Sequence, residues 1–173
     1  SLAQEAGMVP IVEPEVLMDG SHNSKTCLDK TSVVIKKCFE ELIIQKVDLK
    51  GVILKPNMIL PGTTSEEKIN SEKIAELTLK CLIENVPNEV PGIAFLSGGQ
   101  SDIDATAHLD AMNKIGGFDW KLSFSYGRAL QHPALNIWLG KKENSIAAQE
   151  ALSHRALMNK KAAQGEWDQS LEK

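Results

Sequence analysis

Four short apolar runs, each followed by a longer amphipathic stretch, constrain this chain more than any other feature of it. The runs are Met8–Val12, Val52–Leu54, Ile93–Leu96 and Leu122–Phe124. Each is nearly continuous in apolar residues rather than alternating, which is the pattern of buried strands. Between them, apolar residues recur at helical spacing. Asp29–Gln45 carries Val33, Val34, Cys38, Phe39, Leu42 and Ile43 on one stripe, and Ser71–Glu84 carries Ile74, Leu77, Cys81 and Leu82. Ser101–Lys114 opens on Ser101-Asp102 and closes before Gly116-Gly117, good start and stop chemistry for a helix. A short extra helix is predicted over Pro133–Leu139, and a long, Ala-rich one over Asn144–Ala163. Strands spaced one helix apart predict a parallel sheet with crossover helices.

No linker or low-complexity tract interrupts the pattern, so residues 1–173 read as one domain. The opening SLAQEAG resembles the last turn of a helix closed by Gly7. A closed (β/α)8 barrel needs roughly 250 residues, so four strand–helix units are expected to be about half of one. Two open sheet edges, at the first and fourth strands, then invite pairing with a second copy. The polar end, Gly165–Lys173, is expected to fray, with Trp167 in it.

Composition removes several function classes. Lys plus Arg number 19 against 23 Asp plus Glu, a net charge of −4. That argues against a nucleic-acid footprint. No apolar run approaches the ~20 residues of a membrane span, and no secretory signal is visible. Cys27, Cys38 and Cys81 are odd in number and far apart. They predict neither a disulfide framework nor a metal site, and they fit a reducing cytoplasm. His22, His108, His132 and His154 show no ligand spacing.

The chemistry is expected where the strands end. Two runs close on a charge followed by proline, in Glu13-Pro14-Glu15 and Lys55-Pro56-Asn57. A residue before proline is held extended, so Glu13 and Lys55 project from the C-terminal rim of the sheet, where parallel α/β folds do their chemistry. One reading of Lys55 is an amine nucleophile, because burial disfavours an ammonium ion and frees the neutral amine to attack a ketone. The other is a strand-end lysine that reaches into water. Glu13 and Glu15, two apart on an extended chain, share a side. They read either as an acid/base with its neighbour or as solvated loop carboxylates. The next two strands end in Ser97-Gly98-Gly99-Gln100 and Ser125-Tyr126-Gly127-Arg128. Glycines let backbone N–H groups approach an anion, serines add donors, and Arg128 can grip a phosphate through paired N–H groups. In barrels the phosphate site favours the last two strand loops and the start of a short extra helix. The bland alternative is tight turns with a surface arginine.

Five segments, VPIVEPE, LKPNM, FLSGGQS, FSYGRALQ and GKKEN, resemble the class I, Schiff-base fructose-bisphosphate aldolases in order and spacing. The resemblance covers nearly the whole chain. It implies the C-terminal half of a (β/α)8 TIM barrel and reversible cleavage of fructose 1,6-bisphosphate to dihydroxyacetone phosphate and glyceraldehyde 3-phosphate. It implies no metal or other cofactor, only a covalent Schiff base with substrate. By motif, Lys55 corresponds to the Schiff-base lysine, Glu13 to the acid/base and Glu15 to its neighbour. Ser97, Gly98, Gly127 and Arg128, with Ser125 nearby, correspond to ligands of a substrate phosphate. A homotetramer, cytoskeletal or adhesin-tail partners, and a cytoplasmic location are further implications. The family's first-strand aspartate and its lysines on the third and fourth strands have no counterpart here. The 173 residues alone are therefore expected to be poorly active, or to act as a phosphate-binding or partner-binding scaffold.

Overall fold

The computed structural model describes residues 1–173. After a short helix α1 (Leu2–Glu5), strands β1 (Ile11–Val12), β2 (Ile53–Leu54), β3 (Gly92–Phe95) and β4 (Lys121–Phe124) alternate with helices. These are α2 (Ser24–Ile44), α3 (Ser71–Asn85), α4 (Asp102–Ile115), α5 (Arg128–Trp138) and α6 (Ser145–Ala162). The four strands form one parallel sheet in the order β1-β2-β3-β4. This is the expected topology: successive parallel strands each reached through a crossover helix.

Register aligns Val12, Leu54, Ile93 and Leu122 across the sheet. Leu54, Ile93 and Leu122 of that row are buried against Ile74 and Leu82 of α3 and Leu109 and Met112 of α4. The other face carries Ile11, Ile53 and Ala94, which are exposed or half-buried. Helices therefore cover one face, and the strands are not buried on both sides.

Helix boundaries moved where polar caps outrank the apolar stripe. The N-terminus of α2 lies at Ser24, five residues before the predicted start, because Asn23 Oδ1 accepts the Thr26 N–H at 2.9 Å. Cys27, expected ahead of the helix, is thus inside it and buried. Asn70, not Ser71, caps α3 by accepting the Lys73 N–H. Ser101 caps α4 as predicted. The short helix expected at Pro133–Leu139 begins at Arg128. Pro133 sits in its second turn, where the ring removes one N–H and crowds the Ala129 carbonyl, yet the helix continues through it to Trp138. His132 is consequently helical rather than in a loop.

The C-terminal segment does not fray. Trp167 is buried, and its N–H donates to Asp110 Oδ1 at 2.9 Å. Its indole N–H donates to Glu172 Oε1 at 2.7 Å, and Glu172 is gripped by Arg155 of α6. The hydrophilic composition concealed one buried aromatic and one paired carboxylate. Trp120 is buried as a packing residue, whereas Trp138 is half exposed.

Candidate active site

Lys55 leaves β2 with its N–H donating to the Val12 carbonyl at 2.8 Å, so the strand geometry carries one residue past Leu54. Its side chain lies on the face away from the helices and is only 20% exposed. Nζ stands 3.1 Å from Glu13 Oε2, while the Glu13 side chain is 53% exposed. The amine is thus desolvated along its stem and held by one carboxylate that keeps access to water. Glu15 is exposed and makes no ion pair with Lys55.

The segment carrying these glutamates is tied to β2 by a residue that sequence reasoning passed over. Asn57, inside LKPNM, is buried; its Oδ1 accepts the Val16 N–H at 2.9 Å. Its amide donates to Thr31 Oγ1 and to the Met58 carbonyl, each at 3.1 Å. One side chain therefore ties the stretch after Glu15 to the stretch after Lys55 and to α2.

The loops after β3 and β4 meet at the same end of the sheet. Ser97, Gly99, Gln100, Ser101, Asp102, Arg128, Ala129 and His132 line a cavity of about 490 Å³. In the sheet register Lys55 is level with Ala94, so Ser97 lies three residues, about 10 Å, further along and one strand over. Gly98 and Gly99 take φ values of +51° and +78°. Two successive positive φ angles are the signature of a type I′ turn and suit glycine. The N–H groups of Gly98, Gly99 and Gly127 donate to no carbonyl of the chain. Arg128 is the first residue of α5, so the open N–H groups of that helix start at the cavity wall. Ser97 and Arg128 are brought together as predicted. Gly98 instead lines a neighbouring cavity, and Ser125 and Gly127 line neither.

Two further residues went unrecognised. His108 of α4 is buried, and burial pushes its pKa down to about 4. Its Nδ1 lies 2.6 Å from Gln100 Oε1, and Gln100 Nε2 donates to the Ser97 carbonyl at 2.7 Å. Gln100 was visible within FLSGGQS; nothing in the spacing pointed to His108. The Cys27 and Cys81 thiols are pushed up by burial, as packing residues would be. No three His, Cys, Asp or Glu side chains gather where a metal ion could be held, and no helix is long and apolar enough to cross a membrane.

The family model for class-I fructose-bisphosphate aldolase, a glycolytic family, matches residues 1–173. A probable fructose-bisphosphate aldolase class 1 of Xanthomonas axonopodis is 47% identical over 168 residues, covering 96% of this chain and 50% of that protein. The chloroplastic fructose-bisphosphate aldolase 1 of Chlamydomonas reinhardtii is 48% identical, covering 99% of this chain and 45% of its own. Cytosolic fructose-bisphosphate aldolase 4 of Arabidopsis thaliana is 47% identical, covering 95% and 42%. Among solved structures, the aldolase of Plasmodium falciparum in complex with TRAP and a small-molecule inhibitor superposes with a TM-score of 0.94. It is 42% identical and covers 96% of this chain and 48% of that one. The chain spans about half the length of the relatives it matches.

Proposed function

This chain belongs to the class-I fructose-bisphosphate aldolases, a TIM-barrel family of which its four parallel βα units are half a barrel, and from that premise we propose what its residues do. They form one domain portion of an enzyme that cleaves fructose 1,6-bisphosphate through a lysine Schiff base. The observation that carries this reading is the pairing of Lys55 Nζ with Glu13 at 3.1 Å, at the same sheet end as the Ser97–Arg128 cavity.

The geometry supports the following roles. Lys55 gives its ammonium proton to Glu13, which lies within hydrogen-bond reach of Nζ; the freed amine attacks the C2 ketone, and a second proton moves from the nitrogen to the ketone oxygen to give a carbinolamine. Glu13 then returns its proton to the carbinolamine hydroxyl, which leaves as water while the nitrogen lone pair closes the iminium. The iminium draws the electrons of the C3–C4 bond into an enamine as that bond breaks; the C4 hydroxyl proton passes to the Glu13 carboxylate and the aldehyde is released, after which the enamine is protonated at C3 and water hydrolyses the iminium to free Lys55. The unpaired N–H groups of the Ser97–Gln100 turn and the Arg128 guanidinium hold a substrate phosphate, with Ser125 and Gly127 beside them. Glu15 supports Glu13 through its negative charge. No metal enters this scheme. The three unpaired cysteines and the cytosolic relative support a cytoplasmic location. The TRAP complex of the Plasmodium enzyme supports an adhesin-tail partner, and a homotetramer completes the reading.

Incubating the complete enzyme with dihydroxyacetone phosphate and borohydride should leave one reduced adduct, on Lys55 by peptide mass spectrometry. Lys55→Arg keeps the charge but has no neutral amine and should lose the adduct and turnover. An adduct on another lysine, with Lys55 unmodified, would refute the assignment.

A further inference from the structure

We infer that the buried His108 and the half-buried Gln100 form a brace that sets the shape of the Ser97–Gln100 turn, making both positioning residues for phosphate binding. The inference rests on the phosphate-site reading above.

Hydrogen-bond chemistry orders the brace without ambiguity. The Ser97 carbonyl can only accept, so the Gln100 side chain must present its NH2 to it, at 2.7 Å. That turns Gln100 Oε1 toward His108 Nδ1 at 2.6 Å. An amide oxygen can only accept, so Nδ1 carries the ring proton. The imidazolium would also donate from Nδ1, so the brace holds in either charge state. The Gln100 N–H adds a second bond to the same carbonyl at 3.0 Å.

The turn needs such a brace because of what lies on either side of it. Behind it is a cavity of about 260 Å³, walled by Gly98, Gly99, Gln100 and His108 with Met18 and Leu60. In front is the candidate phosphate cavity. Gly99 and Gln100 line both. The turn is thus a partition between two spaces, built on two glycines whose backbones have the widest freedom. Packing alone does not hold it. His108 is anchored two turns into α4, between the core residues Ala105, Leu109 and Met112, so the brace ties a mobile type of turn to a rigid helix.

The test uses the complete enzyme, with inorganic phosphate as a competitive inhibitor alongside steady-state turnover. Gln100→Ala removes the brace from a partly exposed position and leaves the core intact. It should raise the phosphate Ki and the substrate KM by roughly tenfold, the loss of about one well-placed hydrogen bond at each end, with kcat changed less than twofold. His108→Ala should match it, and the double variant should be no worse than either alone, since both dismantle one brace. His108→Asn, whose amide nitrogen occupies the place of Nδ1, should restore both constants. Arg128→Ala tells the two readings apart. If Arg128→Ala raises the phosphate Ki while Gln100→Ala does not, the brace is refuted and the phosphate site stands. If Arg128→Ala leaves Ki unchanged, the site reading fails and the brace fails with it. Additive losses in the double variant, or no rescue by His108→Asn, would also overturn the brace.

Discussion

Replacing Glu172 by Gln should destabilise the protein far more than a carboxylate in so polar a segment would suggest. Arg155 is 3% exposed and Glu172 12%. The guanidinium grips Glu172 with both terminal nitrogens, through Nη1 to Oε2 at 2.9 Å and Nη2 to Oε1. Its only other carboxylate is Asp102, at 3.5 Å from Nη1, and its Nε already has no partner. Removing one member of a buried pair strands the other, at a cost of about 3–5 kcal/mol. Gln keeps one acceptor oxygen for Arg155 or Trp167, so the low end, about 3 kcal/mol, is expected for Glu172→Gln. Arg155→Met should cost less, about 2 kcal/mol, because the tail can lift and hydrate its carboxylate. The double variant should recover about 1–2 kcal/mol relative to the sum. Urea unfolding followed by Trp fluorescence would measure these, and a melting point lowered by about 6–12 °C would accompany the Glu172→Gln loss. A cost below about 1 kcal/mol with additive variants would mean an ordinary surface ion pair, and the docked tail would have another cause.

Other outcomes follow from the same geometry. Acid should release this tail only below the ordinary glutamate range: burial raises the Glu172 pKa, but hydrogen bonds from Arg155 and Trp167 and the Arg155 charge outweigh it and hold the carboxyl low. Its contribution is therefore complete above the ordinary glutamate value of about 4.5 and lost as pH falls through the lower folded value. A pH titration of Trp167 emission, in a chain with Trp120 and Trp138 replaced by Phe, should show a transition below that value, and one above it would contradict the sign. Asn57→Ala removes the buried amide that holds the half-buried Val16 N–H and should cost about 1–3 kcal/mol; unchanged urea stability would show that the Val16 segment is held otherwise. Gly62→Ala would place a Cβ 2.2 Å from the Gly20 carbonyl oxygen, so the paired 18–22 and 62–64 segments must separate at a cost of about 3 kcal/mol or more. Wild-type melting behaviour in that variant would contradict the close approach.

What could be read in the sequence and what could not divide along a physical line. The strands were legible because β2, β3 and β4 each hold a short, nearly continuous apolar core, interrupted only by Ser123 in β4, and a parallel sheet needs nothing more specific than that. Lys55 and Glu13 were legible because each precedes a proline, which fixes local geometry without help from the rest of the fold. The Ser97–Gln100 turn was legible because two adjacent glycines signal positive φ. The misplaced features depend on side-chain contacts that apolar periodicity does not encode, some local and some between distant residues. Asn23 outcompetes the apolar stripe of α2 only because its side chain meets the Thr26 N–H. Trp167 and Glu172 read as a solvated tail because their partners, Asp110 and Arg155, stand 57 and 17 residues away. His108 is the sharpest case. It lies on a helix among alanines, with no ligand spacing to mark it, and a lone histidine on an apolar face is most simply a core residue. It is one, and it still carries a consequence for the loop above it, because burial that keeps its ring neutral also leaves Nδ1–H with one acceptor to satisfy, Gln100.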